Sequence, residues 1–309
     1  MDVNDRILVT GARGMVGGAL CQYLKDMGHQ DVIGIGREDC DLMNFSKTCK
    51  FFSDLKPDYV FHVAARVYGI MGNMNNKGKS YLENILINTH TVEASRLSGV
   101  KKFLAMGSGC VYPNISDRLL QEDQIFDGQP HPSEDSYAHA KRAMLVQLNA
   151  YKEQYDFQSA FAISGNLYGP NDKFDEHEGH VIPALVKKFF DAQSKNEPVT
   201  IWGNGSAQRD FSFIDDTSAA LYLIMKNLTG PVNMGSGNIN AIRDIVEALV
   251  NITRYSNIQW DETKPNGQPF RAYDLTRLKS TGFTPRYSLP EGLKKTYAWY
   301  CANNETARM

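Results

Sequence analysis

Cysteine is scarce in this sequence of 309 residues, and its five cysteines show no regular pairing. Their number is odd, they form no Cys-x-x-Cys motif, and their spacing matches no disulfide framework. Structural disulfides are typical of oxidising compartments, so the pattern favours a reducing, cytoplasmic setting. No metal site is predicted.

The sequence also lacks a long apolar run and a large excess of charge. No run reaches the ~18 residues expected of a membrane-spanning helix. The polar N-terminus, Met1 to Arg6, leads directly into a predicted strand, so we expect no signal peptide. A net charge of −2 gives no electrostatic reason to expect nucleic acid or an anionic membrane as a partner. With 42% hydrophobic residues, the composition is that of a globular protein with one large core or two coupled domains.

A glycine-rich loop follows the first predicted strand. Residues 6–10 form a short apolar run that is typical of a buried parallel strand, and a helix is predicted over 15–27. Between them, Gly11 permits a tight turn, Gly14 lets backbone N–H groups approach a pyrophosphate, and Gly17 lets the helix pack on the strand. The pattern predicts a dinucleotide site formed by Gly11, Arg13, Gly14, Met15, Val16 and Gly17.

The residues after the second predicted strand select the cofactor. Arg37 lies there, and an arginine suits the extra phosphate of NADP, whereas a carboxylate would bind the ribose hydroxyls of NAD. Arg13 could add a second cation. Because Glu38 and Asp39 are adjacent, NADP is favoured over NAD without excluding it.

Other predicted cofactor contacts lie beyond the second and third strands. Asp41 and Leu42 would suit the adenine edge, although a solvated turn fits them as well. The third strand ends in small residues that include Ala64, which let the chain pass close to a cofactor. His62 lies in that apolar run and is interpreted as a core histidine. Residues 69–78 are rich in glycine and asparagine and are predicted to form a loop that could line a pocket.

Four residues carry the clearest catalytic pattern. Ser108 and Cys110 follow the fourth predicted strand, where ligands bind in open α/β sheets. In an extended segment they would face one pocket together, although a buried inert thiol is the alternative for Cys110. Tyr137 and Lys141 lie one turn apart on a helix predicted over 136–155, where the ammonium would favour the phenolate. Alone, that pair would also fit a solvated helix face.

The order of the predicted elements sets the fold class. Strands and helices alternate as far as Pro170, which predicts an α/β protein with a Rossmann-type doubly wound parallel sheet. Beyond Pro170 the alternation breaks down, which predicts a smaller mixed α/β substrate-binding domain. We therefore predict a cofactor-binding domain over 1–170 plus 211–236 and a second domain over 171–210 plus 237–309.

Several motifs resemble one known family. The glycine loop, Ser108 and the Tyr137 and Lys141 pair match the extended short-chain dehydrogenase/reductases. Within these, the GDP-L-fucose synthase family is the closest resemblance, because Cys110 and His180 occur together and general extended reductases need neither. The resemblance extends along nearly the whole chain, through Ser-Gly-Cys-Val-Tyr-Pro at 108–113, Asn-Leu-Tyr-Gly-Pro-Asn-Asp at 166–172, His-Val-Ile-Pro-Ala-Leu at 180–185, Trp202, Gly203 and Gly205, Arg209 and Phe211, and Lys264, Pro265, Gly267 and Pro269.

This resemblance implies an NADPH-dependent epimerase-reductase that acts on GDP-4-keto-6-deoxy-mannose. Cys110 would remove a proton beside the C4 ketone, provided that the pKa of its thiol falls from ~8.5 toward neutral, and His180 would return one to the opposite face. Ser108 and Tyr137 would hold the C4 oxygen. Tyr137 would protonate that oxygen as hydride reaches C4, and Lys141 would bind the nicotinamide ribose.

The same resemblance implies binding residues in both domains and a homodimer. NADP(H) would further contact Asn166, Leu167 and His180, and the homodimer would pair through helices near 84–98 and 137–155. For Lys187 a solvated helix face is an alternative. The implied substrate contacts are Ser108, Gly109, Cys110, Asn166, Lys187, Trp202, Arg209 and Arg271.

Departures from the family pattern leave the sugar open. Gly109 stands where the family usually has serine, Tyr68 where it usually has glycine, and Phe270 where a basic residue is common. A GDP-4-keto-6-deoxy-heptose or 3,6-dideoxy-hexose therefore remains an alternative substrate, with inversion at C3, C5 or both. A C4 reductase without epimerisation and a non-catalytic NADP-sensing protein are further alternatives.

Overall fold

The computed structural model describes residues 1–68, 70–115, 117–176, 179–264 and 266–308. Gly69 and Pro265, which belong to predicted loop and motif segments, lie outside the described residues. The strands are β1 (Ile7–Thr10), β2 (Val32–Ile35), β3 (Tyr59–His62), β4 (Lys102–Met106), β5 (Ser159–Ser164), β6 (Asn166–Tyr168), β7 (Val199–Trp202), β8 (Gln208–Phe213), β9 (Gly230–Met234), β10 (Ile239–Ala241), β11 (Ile258–Asp261) and β12 (Phe270–Arg271).

Most of the α-helices have three to six turns, and two are shorter. No helix in the described ranges is long and apolar enough to cross a bilayer. The helices are α1 (Met15–Asp26), α2 (Phe45–Leu55), α3 (Ile70–Asn75), α4 (Lys77–Leu97), α5 (Asp135–Tyr155), α6 (Val181–Lys195), α7 (Ile214–Asn227), α8 (Ile242–Thr253), α9 (Thr276–Lys279) and α10 (Leu289–Asn303).

The main sheet has six parallel strands in the order β2-β1-β3-β4-β5-β9. Both of its faces are covered, which is why its strands read as nearly continuous apolar runs. In β1, Ile7 and Val9 enter one apolar cluster while Leu8 enters the cluster on the opposite face. The order turns back between β1 and β3, so ligands are expected beyond the carboxyl ends of these strands. The predicted α/β Rossmann-type fold is confirmed.

A smaller mixed sheet lies beyond the end of β5. It joins β10, β8 and β12, and β6 pairs with β8 in parallel. The chain passes three times between the two sheets: from β5 to β6, with only Gly165 between them, from β8 through α7 to β9, and from β9 to β10. The side chains of α6, α8 and α10 pack in a third apolar cluster with those of β7 and β8. The exact domain division stays a prediction.

The loop predicted over 69–78 is wrong for its described part. Residues 70–75 form α3, and α4 begins at Lys77. Asn73 Nδ2 donates to the Tyr68 carbonyl at 2.9 Å, and Asn76 Nδ2 donates to the Gly72 carbonyl at 2.9 Å. These hydrogen bonds from side chain to backbone stabilise the helical segment, although asparagine has a low helix propensity. The helices predicted over 15–27 and 136–155 are confirmed as α1 and α5.

Candidate active site

The glycine loop connects β1 to α1 at the carboxyl end of the sheet. Gly11 has φ +74°, which favours glycine, and a Cβ on Gly17 would lie 2.3 Å from the Gly11 carbonyl oxygen. Gly14 precedes α1 and has no side-chain cap, so the N–H groups of Met15 and Val16 open the helix beside the loop. The loop and the start of α1 thus pack too closely for a side chain at Gly17, and we call this loop and helix start the glycine cradle; its helix N-terminus suits a pyrophosphate.

Arg13, Glu38 and Asp39 lie together where the sequence predicts discrimination between NADP and NAD. Arg13 Nε lies 2.7 Å from Glu38 Oε1, and Arg13 Nη2 lies 3.5 Å from Asp39 Oδ2. Arg37 is exposed beside them. Exposed ion pairs contribute little to stability, so a bound phosphate could replace these carboxylates as the ion-pair partner of Arg13.

The other predicted cofactor contacts lie along the same edge. Ala64 N donates to Thr10 Oγ1 at 3.2 Å, and the Ala64 Cα would lie 2.9 Å from a Cβ on Gly11, so β3 leaves the sheet in close contact with the loop. Leu42 is buried, and Asp41 Oδ1 accepts from the N–H of Met43 at 3.2 Å. Asp41 therefore stabilises a turn, and Leu42 contributes apolar surface.

His62 joins the end of β1 to α5 through a buried hydrogen-bond chain. Its Nδ1 lies 3.0 Å from Thr10 Oγ1, and its Nε2 lies 3.1 Å from Asn88 Oδ1. Asn88 Nδ2 donates to the carbonyl of Ala140, the neighbour of Lys141, at 3.4 Å. Because Asn88 Oδ1 only accepts, the ring proton lies on Nε2. Burial, with the Lys141 charge, lowers the pKa of His62 to about 3, which agrees with a neutral core histidine.

Helix α5 brings Lys141 and Tyr137 to the end of β4. Lys141 is 1% exposed, and its Nζ donates to the carbonyl of Met106, the last residue of β4, at 2.7 Å. That Nζ lies 5.7 Å from the centre of the Tyr137 ring. Burial lowers the pKa of Lys141 to about 8 and raises the pKa of Tyr137 above its usual value. The expectation that Lys141 would favour a phenolate is therefore wrong for this structure, which holds Tyr137 as a protonated phenol.

Ser108 and Cys110 lie in a tight turn at the end of β4, and the expectation of an extended segment is wrong. Residues 109–111 form a 3₁₀ turn, and Ser108 Oγ caps it by accepting from Cys110 N at 3.4 Å. Burial and then the Glu134 charge raise the pKa of Cys110 to about 12, against the opposing effects of Ser108, Arg271 and Lys141. The expected fall toward neutral is therefore wrong, and the thiol stays protonated. The turn nevertheless brings Ser108 and Cys110 together.

His180 precedes α6, with Asp172 nearby. His180 is exposed and immediately precedes the helix, with an extended backbone. Asp172 is 6% exposed, and its Oδ2 has no hydrogen-bond partner among the described residues. Burial raises the pKa of Asp172, and the charge of His180 opposes this shift. Asp172 therefore lies within electrostatic reach of His180. In the sequence, Asp172 stands out only as the last residue of the family motif at 166–172.

Arg271 lies beside the turn of residues 109–111. It is 8% exposed and donates from Nη2 to the carbonyl of Gly109. Arg209 lies on the neighbouring strand β8, pairs with Arg271 in register, and donates to the carbonyl of Gln208 at 2.7 Å. Asn166 Nδ2 donates to the carbonyl of Asp210 at 3.3 Å, which fixes its side chain at the junction of the sheets. Arg271 therefore lies at the turn that holds Cys110, with Arg209 next to it on β8.

Two other predicted substrate residues have different environments. Trp202 is 52% exposed, and the Nζ atoms of Lys188 and Lys264 each lie 5.8 Å from the centre of a Trp202 ring. Lys187 pairs with Asp191 and lies 3.5 Å from Glu176, so its charge is already matched. Leu167 lies beside Asn166 in β6 and packs against the apolar cluster of the main sheet.

Two residues that the sequence did not single out also lie near the turn of residues 109–111. The Glu134 carboxylate acts on the ionisation of Cys110, Tyr137 and Arg209, and Glu134 lies one helical turn before Tyr137. The spacing of one helical turn between Glu134 and Tyr137 is the sequence signal that could have identified Glu134 as a site residue. Tyr273 lies against Gly109, but no local pattern links two positions so far apart in the chain. The described residues contain no cluster of three metal-ligating side chains.

Known proteins resemble this chain in sequence and in fold. Residues 7–239 match the NAD dependent epimerase/dehydratase family. GDP-L-fucose synthase 1 of Arabidopsis thaliana is 35% identical over 306 residues, which are 98% of this chain and 95% of that protein. A GDP-L-fucose synthetase from Naegleria fowleri bound to NADP gives a TM-score of 0.92 at 28% identity, covering 100% of this chain and 96% of that one. A GDP-6-OMe-4-keto-L-xylo-heptose reductase from C. jejuni gives 0.89 at 26% identity, covering 98% of this chain and 99% of that one.

Proposed function

Because the chain belongs to the NAD dependent epimerase/dehydratase family and is GDP-L-fucose synthase-like within it, we propose that it is an NADPH-dependent epimerase-reductase that converts GDP-4-keto-6-deoxy-mannose to GDP-L-fucose. The observation that carries this proposal is the convergence of Ser108, Cys110, Tyr137 and Lys141 at the end of β4, in a chain that also supplies His180. A reductase alone needs neither the thiol nor the imidazole.

The glycine loop supports NADPH as the cofactor, because the missing side chain at Gly17 lets α1 pack closely on the loop, and the N-terminus of that helix suits a pyrophosphate. Bound NADPH would supply the hydride that reduces C4. Arg37 is free in the solvent to take the extra phosphate of NADP, and Arg13 can turn to it from its exposed carboxylate partners. The residues proposed to hold the cofactor are Gly11, Arg13, Gly14, Met15, Val16, Gly17, Arg37, Asp41, Leu42, Ala64, Tyr137, Lys141, Asn166, Leu167 and His180.

The reduction step uses the protonated phenol of Tyr137. Burial keeps this phenol neutral, so it can donate a hydrogen bond to the C4 oxygen and then transfer its proton. Ser108 adds a second hydroxyl to the same oxygen. Lys141 contributes a buried positive charge beside the phenol, which stabilises negative charge that develops on the oxygen.

Epimerisation requires a base and an acid on opposite sides of the sugar. Cys110 is proposed to remove the proton next to the ketone, and His180 is proposed to return a proton to the other face. Burial disfavours the thiolate, whereas the charges of Arg271 and Lys141 favour it. Proton removal by Cys110 therefore depends on these two cations.

The GDP part of the substrate is proposed to lie against the smaller sheet. Trp202 offers an exposed ring for stacking, and Arg209 and Arg271 offer guanidinium groups for the diphosphate and sugar. Lys187 is the weakest candidate, because Asp191 and Glu176 already neutralise it. Ser108, Gly109, Cys110 and Asn166 complete the proposed sugar pocket.

A homodimer through α4 and α5 is proposed as well. These two helices pack against each other, and they expose Tyr81, Leu82 and Val146 by 43%, 56% and 53%. Large apolar side chains that cluster on neighbouring helices are typical of protein interfaces.

A reductase for a GDP-4-keto-heptose is the second candidate. It is favoured by the C. jejuni heptose reductase, which covers 98% of this chain, and by Gly109, where the fucose synthases usually have serine. A related 3,6-dideoxy-hexose would fit the same catalytic residues.

The test is an NADPH oxidation assay with GDP-4-keto-6-deoxy-mannose, in which NMR determines the configuration of the product at C3 and C5. We expect GDP-L-fucose, a strong preference for NADPH over NADH, and no turnover by Tyr137→Phe. An uninverted product would leave only a reductase. Tight NADPH binding without turnover would reject this sugar, and the GDP-4-keto-heptose and dideoxy-hexose would then be compared. If neither NADPH nor any of the sugars bound, the proposed function would be wrong.

A further inference from the structure

We propose that Tyr273 determines sugar specificity by occupying the space of a side chain at position 109 and donating a hydrogen bond to an oxygen of the substrate sugar. This inference rests on the proposed function, since it adds a contact to the same nucleotide-sugar pocket. It comes from the packing of two residues that lie far apart in the chain, Gly109 after β4 and Tyr273 after β12.

The first step is steric. A Cβ built on Gly109 would lie 1.9 Å from Tyr273 Oη, 2.8 Å from Cζ and 3.2 Å from Cε1. These distances leave no room for any side chain at position 109 while Tyr273 keeps its place. The phenol hydroxyl of Tyr273 therefore occupies the position from which a residue-109 side chain would start.

The second step is that the Tyr273 ring is held in place. On its other side, a Cβ on Gly165 would lie 2.8 Å from Tyr273 Cε2. The backbone on both sides of Tyr273 pairs with Leu120, whose N–H donates to the Ala272 carbonyl at 3.0 Å and whose carbonyl accepts from Asp274 N at 2.9 Å. Tyr273 is only 5% exposed, so its hydroxyl cannot swing away to make room.

The third step concerns the direction of the hydroxyl proton. The charge of Arg271, two residues before Tyr273, acts on the ionisation of the Tyr273 phenol. A guanidinium can only donate, so Arg271 cannot accept the phenol proton, and the O–H needs an acceptor elsewhere. Burial raises the pKa of Tyr273, so the group is a neutral phenol at working pH. Tyr273 also interacts electrostatically with Cys110, so the phenol lies near the thiol.

The chemical consequence is a donor at an unusual place in the sugar pocket. A serine at position 109 would offer a hydroxyl on a short side chain. Here the hydroxyl comes instead from Tyr273 and lies where the Cβ of that serine would be. An oxygen of the sugar, a hydroxyl or the ketone, is the acceptor that this phenol would recognise.

The first experiment compares Tyr273→Phe with the wild-type protein on the 4-keto sugar that the wild type turns over. Loss of one hydrogen bond of ~1 kcal/mol predicts that kcat/KM falls about fivefold, with the affinity for NADPH unchanged. The matched control is Tyr255→Phe, because that hydroxyl donates to the Glu197 carbonyl on the protein surface. Equal kcat/KM values for Tyr273→Phe and the wild type would overturn the proposal.

The second experiment tests the packing of the pair. Gly109→Ser should lose activity at least about tenfold, and the double variant with Tyr273→Leu should regain it, because leucine lacks the Oη, Cζ and Cε1 atoms that the new Cβ meets. Gly109→Ser combined with Tyr273→Phe should not recover, since Cζ remains. Equal recovery in both double variants would contradict the geometry.

Turnover by the wild-type protein distinguishes a failure of the proposed function from a failure of the specificity role of Tyr273. If the wild type reduces none of the 4-keto sugars, the proposed function fails, and the sugar contact of Tyr273 fails with it. If the wild type is active and Tyr273→Phe matches it on every sugar, only the specificity role is wrong. A change in the ranking of sugars in the Gly109→Ser, Tyr273→Leu variant would directly support that role.

Discussion

At the scale of single residues, the groups proposed to be catalytic are deeply buried. Lys141 and Cys110 are 1% and 9% exposed, and burial lowers the pKa of Lys141 to about 8 and raises the pKa of Cys110 to about 12. At neutral pH the Lys141 ammonium therefore keeps its charge, whereas the Cys110 thiol stays protonated.

The shifted pKa of Lys141 predicts a pH-dependent cofactor affinity. Below about 8 its Nζ is charged, and above that value the ammonium that would bind the nicotinamide ribose is lost. We expect the dissociation constant of NADPH to rise as the pH passes through 8, by at most about tenfold per pH unit. Fluorescence titration between pH 6.5 and 9.5 measures this change. Lys141→Met should bind weakly at all pH values, and a slope that persists in this variant would assign the titration to another group.

The role of Cys110 predicts a specific loss of proton exchange. Cys110→Ser should reduce deuterium incorporation next to the ketone in D2O by at least about 100-fold, because the hydroxyl is a far weaker base than the thiolate. Reduction at C4 should continue. NMR of the product measures both, and Cys301→Ser is the control because that thiol is exposed. Unchanged exchange in Cys110→Ser would assign the base to another residue.

At the scale of secondary structure elements, the contact between the glycine loop and α1 predicts a sharp difference between two neighbouring glycines. A Cβ on Gly17 would lie 2.3 Å from the Gly11 carbonyl oxygen, whereas a Cβ on Gly18 would lie 3.3 Å from the Ala12 carbonyl oxygen. Gly17→Ala should displace the loop and raise the dissociation constant of NADPH about tenfold or more, which corresponds to ~1.4 kcal/mol.

Gly18→Ala is the matched control for that prediction. It lies in the same helix and gains the same helix propensity, so its NADPH affinity should stay within about twofold of the wild type. Calorimetric titration measures both variants. If the two variants bound NADPH equally well, the close approach at Gly17 would not be what shapes the cradle.

The sequence predicted the elements that depend on local patterns. Apolar runs identified β1 and β3, and the spacing of Tyr137 and Lys141 was correctly placed on α5. It missed α3, because side-chain bonds from Asn73 and Asn76 stabilise a segment whose composition favours a loop. Elements with strong periodicity are therefore predictable, whereas elements held by particular polar contacts are not.

The sequence could predict that Ser108 and Cys110 lie together at the end of β4, and Tyr137 and Lys141 on α5, but not the ionisation of these residues. The pKa values of Cys110 and Tyr137 depend on burial and on Glu134, which follow from the packing of distant segments. Tyr273 was missed for the same reason, since it meets Gly109 only after β12 joins β8. The type of each residue can be read from the local sequence, whereas its ionisation and its contacts depend on the tertiary structure.

At the scale of the whole molecule, the end of the described chain returns to the segment that precedes His180. Phe174 N donates to the Arg308 carbonyl at 2.7 Å, and the Phe174 ring lies 4.5 Å from that of Tyr300 and 5.7 Å from that of Trp299. Helix α10 and the residues after it thus hold Phe174 in the third apolar cluster. The segment that precedes His180 is therefore anchored at Phe174 by α10 and the residues after it.

Truncation after Asn303 is predicted to impair epimerisation without affecting cofactor binding. Loss of the Arg308 carbonyl frees the backbone of Phe174, so the melting temperature should fall by a few degrees and proton exchange at the sugar should slow. NADPH affinity should stay the same, since the glycine loop follows β1 in the main sheet and Phe174 packs in the third apolar cluster. The control is Arg308→Ala, which keeps the backbone bond and should have a smaller effect. A truncated protein with wild-type exchange would refute this coupling.

The contact between Gly109 and Tyr273 also restricts how this protein can evolve. A lineage that acquires a side chain at position 109 first must pass through a variant in which that side chain and the phenol compete for one space. The reverse order, in which the tyrosine is first replaced by a smaller residue, avoids this barrier. Related proteins that differ at both positions are therefore expected to have changed position 273 before position 109, and ancestral sequences along that path should be functional in only this one order.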